Sequence, residues 1–214
     1  MKGLFITFEG TEGSGKSTQI ALLANRLRTL GYRVRALREP GGTPIGEELR
    51  HTLKHSKDNA DMTPEAELLL MNASRAQLVR EIIRPALSAG EVVLCDRFYD
   101  STTAYQGYGR KLDLKTVQAI TNVTVGDTRP DLTLLFDVTH EVSEARRAAR
   151  QSSLPFVRDR MEEADREFFA RVAEGYKAIA ALEPKRIRSI DAAGKVEEIE
   201  AMVWKQVQPL LPAP

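Results

Sequence analysis

Residues 10 to 17 read Gly10-Thr11-Glu12-Gly13-Ser14-Gly15-Lys16-Ser17, with Thr18 next. Two glycines, a lysine and a hydroxyl at this spacing fill every fixed position of the G-x-x-x-x-G-K-[ST] pattern. The chemistry they can do is anion binding. Gly10, Gly13 and Gly15 let the backbone curl until its N–H groups face a phosphate, and a helix starting there adds its positive dipole end. The Lys16 ammonium reaches β- and γ-phosphates, and the Ser17 hydroxyl ligates Mg²⁺. An apolar run, Leu4 to Phe8, precedes the loop, and a helical pattern from Ser17 to about Leu30 follows it. That order of strand, loop and helix is the context the pattern requires.

Other residues bear on the same chemistry. The run Val92-Val93-Leu94-Cys95 closes in Asp96-Arg97. A carboxylate at such a strand end sits near Mg²⁺ in phosphate-loop proteins. Arg97 projects toward the phosphates or pairs with Asp96, and both roles can coexist. The segment Phe98 to Gly109 is dense in hydroxyls, amides and aromatics. It reads either as a base pocket or as a polar helix start followed by a glycine-rich turn. Arg146, Arg147, Arg150, Arg158 and Arg160 form either a solvated face or a source of charge for a transferring phosphoryl group. His51 and His55 are four apart, yet Thr52 stands where H-E-x-x-H needs Glu, so they read as surface histidines. Cys95 reads as a small core residue.

The elements that must position these groups follow from the apolar pattern. Leu4–Phe8, Val34–Leu37, Val92–Cys95, Leu132–Val138 and Ile187–Ile190 are apolar runs that read as strands, several of them near-continuous, as expected when helices cover both faces. Helical patterns lie between them. One begins at the cap Thr63 and Pro64 and runs up to Pro85. Others cover about 113–124, 141–150, 159–182 and 195–210. Strands alternating with helices predict an α/β fold, a central parallel sheet of about five strands with helices on both faces. The segments Arg38 to Thr43 and Gln151 to Arg158 break the alternation. The first lies beyond a strand's carboxyl end, where such sheets bind ligands.

Length and composition bound the rest. The chain has 214 residues, with 31 Lys and Arg against 30 Asp and Glu. One domain over 1–214 is expected, and near-zero net charge gives no general nucleic-acid or membrane surface. A single cysteine, no signal-peptide pattern and no apolar stretch of about 18 residues predict a cytoplasmic protein.

The pattern resembles the thymidylate kinase family, a branch of the phosphate-loop nucleoside monophosphate kinases. The residues carrying the resemblance are Phe8 to Thr18, Arg38-Glu39-Pro40-Gly41-Gly42-Thr43, Ser74-Arg75-Ala76-Gln77 and Asp96-Arg97-Phe98. Ser101 to Gly107, Arg129 to Thr133 and Asp159-Arg160-Met161-Glu162 complete the set. The resemblance implies transfer of the γ-phosphoryl group of ATP to dTMP, giving dTDP, with Mg²⁺ and as a homodimer. It places ATP on Gly10 to Thr18, the cation on Ser17 and Asp96, and dTMP on Glu12, Arg38, Met71, Arg75, Arg97, Thr102, Tyr105 and Gln106. Arg38 clamps the acceptor phosphate in this reading, Arg75 aims at thymine O4, and Arg97 bridges toward the acceptor phosphate. Thr102 serves the base or phosphate side, Tyr105 and Gln106 the deoxyribose side, and Glu12 the 3′-hydroxyl.

The phosphate loop carries no arginine, whereas the segment after Glu144 is rich in them. This resembles the bacterial type with a lid arginine, the lid spanning about 146–160, and Arg150 joins Lys16 and Arg97 as the catalytic set. Met71 stands where the family usually has a stacking Phe. Either the Met71 thioether packs on the ring face in its place, or a neighbour such as Phe98 contributes, or base affinity is weaker. Two other readings compete. One is a kinase with a different acceptor, against which Arg75 and Thr102 to Gln106 argue. The other is a guanine-nucleotide switch, but the chain has no N-K-x-D, and Asp191-Ala192-Ala193-Gly194 comes too late for a switch segment.

Overall fold

The computed structural model describes residues 3–56, 58–151 and 165–212, with backbone only for 150 and 151. The chain runs β1 (Leu4–Glu9), α1 (Lys16–Thr29), β2 (Val34–Arg38), α2 (Pro44–Lys54), α3 (Pro64–Leu78), α4 (Arg84–Ser88) and β3 (Val92–Asp96). It continues α5 (Tyr99–Thr102), α6 (Leu114–Val125), β4 (Leu132–Asp137), α7 (His140–Gln151), α8 (Arg166–Leu182), β5 (Ile187–Asp191) and α9 (Val196–Val207). All strand pairs are parallel, in the order β2-β3-β1-β4-β5. The five apolar runs are the five strands, and the α/β sheet with helices on both faces is as expected.

Strand alternation sorts the core into two layers. Leu4, Ile6 and Phe8 of β1 join Leu23 and Leu27 of α1 and Ile199 and Val203 of α9 on one face. Phe5 points to the other, against Leu78, Ile83, Val93 and Phe98. A third cluster joins Tyr105 and Leu135 to Phe168, Val172 and Tyr176 of α8. Each buried aliphatic or aromatic side chain contributes about 1.5–3 kcal/mol relative to exposure. The sheet is therefore a rigid platform, and its carboxyl edge is where loops can hold polar groups in fixed positions.

Local signals explain most helix starts. Thr43 and Thr63 cap α2 and α3 by accepting from the N–H groups of Gly46 and Ala66, with proline in the first turn of each. Two expectations change. The chain does not stop at Pro85: a wide i→i+5 turn over Val79–Ile83 re-phases the helix, and Pro85 falls in the first turn of α4, where its missing N–H costs nothing. Residues 99–109 are helical, α5 followed by a second wide turn over Thr103–Gly109, rather than a helix start and a glycine turn. Such turns occur often at functional sites because they re-aim side chains. Of the helix expected over 159–182, residues 159–164 lie outside the described residues, and α8 covers the remainder.

Candidate active site

The phosphate loop connects β1 to α1 across the sheet's carboxyl edge. Gly10 sits at φ 131°, and a Cβ built there would lie 2.4 Å from the Phe136 carbonyl oxygen of neighbouring β4. Only glycine fits that approach. Gly10→Ala is expected to destabilise the protein by about 2–4 kcal/mol, from steric overlap plus backbone strain. Gly31→Ala, at φ 90° with nothing within 4 Å, isolates the backbone part and costs about 1 kcal/mol. Urea unfolding of the two variants checks this, and equal losses would remove the close-approach argument.

Lys16 is 5 % exposed, and its ammonium closes the loop on itself. Nζ donates to the carbonyl oxygens of Gly10 at 3.2 Å and Thr11 at 2.9 Å, and to Ser14 Oγ at 3.3 Å. Burial pulls its pKa down to about 8, with the Arg97 charge adding to the effect. It still carries its proton near neutral pH. Beside it Ser17 Oγ donates to Asp96 Oδ2 at 2.9 Å, so the two residues read as a cation pair are side by side. Hard oxygens with room for water and phosphate oxygens are what Mg²⁺ takes.

Next to the loop opens a cavity of about 560 Å³. Glu12, Met71, Arg75, Arg97, Thr102, Tyr105 and Gln106 all line it. Arg38 does not. Its Nη2 donates to both carboxylate oxygens of Glu47, at 3.0 and 2.8 Å, on the exposed end of β2. Glu47 is one turn into α2, and the solvent-facing pair holds the clamp residue outside the lining.

Arg75 is almost fully buried against an equally buried carboxylate. Its Nε and Nη2 reach the same Glu39 Oε2 at 2.8 and 2.7 Å. Nη1 donates to Asn72 Oδ1 and Nη2 to the Phe98 carbonyl oxygen, each at 3.2 Å. Burial pushes the Glu39 carboxyl up, and the Arg75 charge works against that shift. Phe98 is fully buried, edge-on to Phe5 with ring centroids 5.0 Å apart. Met71 is 8 % exposed on the cavity wall.

Arg97 takes a left-handed backbone conformation, φ 69°, rare for a residue with a Cβ. Its N–H bonds the Phe8 carbonyl oxygen at 2.9 Å, which fixes the turn. Nη1 donates to Ser101 Oγ at 3.1 Å and Tyr176 OH at 3.2 Å, and Nη2 to Tyr105 OH at 3.3 Å. Glu12 lies 3.6 Å away. Among the described residues Arg97 forms no ion pair with Asp96; its partners are Glu12, the cavity-wall hydroxyls of Ser101 and Tyr105, and Tyr176 behind them.

Several neighbours were not singled out by sequence. Glu39 was read only as part of a loop pattern, and Lys54, Ser101 and Phe169 line the cavity from α2, α5 and α8. Gln106 Nε2 donates to the fully buried Glu67 at 2.8 Å, which Arg110 pairs at 3.0 Å. An acidic residue in the first turn of a helix looks like an ordinary dipole partner, so nothing local marked Glu67. Among the arginines of α7, Arg146 donates to the Ala192 carbonyl oxygen at 2.8 Å, and Arg147 pairs with Glu144 beside the Phe169 ring. The Arg150 side chain, and Arg158 and Arg160 with the rest of 152–164, lie outside the described residues. His51 and His55 are both exposed, on α2 and at its C-cap.

A strand-loop-helix phosphate cradle beside an arginine-lined cavity has known counterparts. The family model described as thymidylate kinase matches residues 8–203. A thymidylate kinase of Synechococcus sp. (strain JA-2-3B'a(2-13)) is 49% identical over 209 residues, covering 98% of this chain and 96% of that protein. A thymidylate kinase of Deinococcus radiodurans is 46% identical over 206 residues, covering 96% and 97%. The crystal structure of thymidylate kinase from Ehrlichia chaffeensis superposes with a TM-score of 0.77 at 33% identity, covering 97% of this chain and 99% of that one. With a family match across most of its length and relatives at nearly half identity end to end, the chain belongs to the thymidylate kinase family.

Proposed function

We propose that this protein transfers the γ-phosphoryl group of ATP to dTMP, giving dTDP and ADP in dTTP biosynthesis. The observation that carries the reading is the arginine-lined cavity opening directly beside the phosphate loop, so donor and acceptor phosphates can meet in line. The family membership supports the same reaction. Gly10 to Thr18 wrap the ATP phosphates, and Lys16 exchanges its loop partners for phosphate oxygens. Ser17 and Asp96 would hold Mg²⁺, which would supply charge neutralisation for the transferring phosphoryl group. Arg97 faces the acceptor phosphate, Arg75 and Met71 the base, and Tyr105 the sugar, with Glu12, Thr102 and Gln106 completing the wall. Arg38 reaches the acceptor only if it leaves Glu47. The acceptor phosphate is already an anion near neutral pH, since its second pKa is about 6, so no strong base is required. Positioning and charge stabilisation then supply most of the acceleration.

The remaining elements of the proposal rest on the family. Arg150 is the lid arginine, the lid covers about 146–160, and the whole chain acts as one domain. The protein works as a cytoplasmic homodimer, and among the described residues no helix is long and apolar enough to cross a membrane. The test is ADP formation with ATP and Mg²⁺ against dTMP, dUMP, the ribose form of TMP, dCMP, AMP, GMP and UMP. Selectivity for dTMP over dUMP and over the ribose form is expected, with activity lost on chelation and restored by Mg²⁺. Preference for another monophosphate would keep the phosphate-loop chemistry and remove the thymidylate assignment.

A further inference from the structure

Glu9 is the last residue of β1 and has no role in the chemistry above, yet it is fully buried at the edge of the site. Its Oε1 accepts from the Phe98 backbone N–H at 2.7 Å. Its Oε2 accepts from Ser101 Oγ at 2.5 Å and from Tyr176 OH at 3.0 Å. The two hydroxyls are 2.8 Å apart, and they are the same two onto which Arg97 Nη1 donates. Four elements therefore meet at one carboxylate: β1, the turn after β3, α5 and α8.

The direction of these hydrogen bonds decides what Glu9 can do. A hydroxyl has one proton and two lone pairs, and an ionised carboxylate only accepts. Glu9 draws the hydroxyl protons inward, so the lone pairs of Ser101 and Tyr176 face outward. The guanidinium of Arg97 has no acceptor capacity and needs those lone pairs. We propose that Glu9 is a positioning residue, which acts through Ser101 and Tyr176 to hold Arg97 in the orientation that receives the acceptor phosphate. The proposal rests on the reading of Arg97 as an acceptor-phosphate residue. It also gives a reason for the left-handed backbone at Arg97, since a strained turn persists only where its surroundings over-determine it.

Glu9→Gln tests this with little change of shape. The amide oxygen must take the Phe98 N–H, which turns the amide NH₂ toward Ser101 and Tyr176. That NH₂ then donates to the lone pairs that Arg97 uses. At pH 8, where the Glu9 carboxyl is ionised, E9Q is expected to raise KM for dTMP about tenfold, the size of one lost charge-assisted hydrogen bond. KM for ATP changes less than KM for dTMP, because Lys16 hydrogen-bonds Gly10, Thr11 and Ser14 and the Glu9 charge is the smallest of the influences on its ammonium. Tyr176→Phe keeps the ring and removes the relay hydroxyl, so it raises KM for dTMP about fivefold. The double variant matches E9Q alone, since both act along one path. Parallel rises in both KM values, a dTMP KM within twofold of the parent, or multiplicative effects in the double variant each overturn the proposal. Should E9Q fold poorly, Tyr176→Phe with an unchanged dTMP KM overturns it alone. Arg97→Ala separates the two readings. If it leaves the dTMP KM unchanged, the role of Arg97 fails and the proposal with it. If it raises that KM while E9Q does not, only the proposal fails.

Discussion

Lys16→Ala is expected to lower kcat by about a thousandfold or more, with the fold retained. The magnitude is that of removing a preorganised charge from a phosphoryl-transfer site, on the order of 4 kcal/mol of transition-state stabilisation. The structure says why nothing replaces it. The ammonium donates to the loop's own oxygens, at Gly10, Thr11 and Ser14. They hold it where the phosphates arrive, within a wall that leaves it 5 % exposed. No other lysine lies in the loop. The nearby cation Arg97 is tied to Ser101, Tyr105 and Tyr176 on the acceptor side. Loss of Lys16 removes three hydrogen bonds to neutral oxygens and its attraction to Asp96, Glu12 and Glu9, offset by relief of its burial and of its repulsion with Arg97, so the melting temperature shifts by only a few degrees. Steady-state ADP formation with dTMP, alongside a thermal melt, checks both halves. A kcat within tenfold of the parent would remove Lys16 from the mechanism. A collapsed melt would mean that the loop's closure, not its charge, is what Lys16 supplies.

Glu39→Ala is expected to destabilise the protein by about 3–5 kcal/mol, the cost of leaving a buried charge without its partner. For a chain of this size that is a fall of roughly 10 °C or more in melting temperature. Glu39 and Arg75 have side chains 3% and 2% exposed, and one carboxylate oxygen receives two N–H groups. Asn72 and the Phe98 carbonyl are the other partners of the guanidinium, and both are neutral. They cannot balance a buried positive charge. Glu39→Gln keeps the volume and one hydrogen bond and is expected to lose about half as much. It thereby separates charge from cavity formation. Both variants also release Arg75 from its orientation, so KM for dTMP rises with the loss of stability. Urea unfolding at pH 7.5 gives the stability term. An unchanged midpoint for Glu39→Ala would show that Arg75 finds another counter-charge.

These two residues differ in how visible they are before folding. The phosphate loop is a local object. Its glycines, Lys16 and Ser17 lie within eight consecutive positions, and the chemistry uses the backbone between them. The three central strands were equally plain, because burial on both faces demands continuous apolar runs such as Leu4 to Phe8, whereas the edge strands β2 and β5 carry exposed residues and a weaker pattern. Thr63 with Pro64 marked the start of α3 by a cap whose partners are three residues apart. The family resemblance gathered seven cavity residues in advance because Glu12, Arg75, Arg97, Thr102, Tyr105 and Gln106 sit inside short patterns and Met71 lies one helical turn before Arg75.

What the chain order could not supply is which side chains share a hydrogen bond across the sheet. Ser17 meets Asp96 over a separation of 79 residues, Arg75 meets Glu39 over 36, and Tyr176 meets Glu9 over 167. The first exists because β1 pairs with β3, the second because α3 packs against the loop after β2, and the third because α8 reaches the carboxyl end of β1, neighbours that no local pattern states. Arg38 turns to Glu47 and away from the cavity for the same kind of reason, since the choice depends on where α2 packs. Sequence alone determined the parallel α/β sheet and the phosphate loop, because strand burial and loop chemistry are written in neighbouring residues. Tertiary structure alone decided how Arg75 and Arg97 are held, because a buried guanidinium must find its acceptors wherever the packed strands and helices bring them.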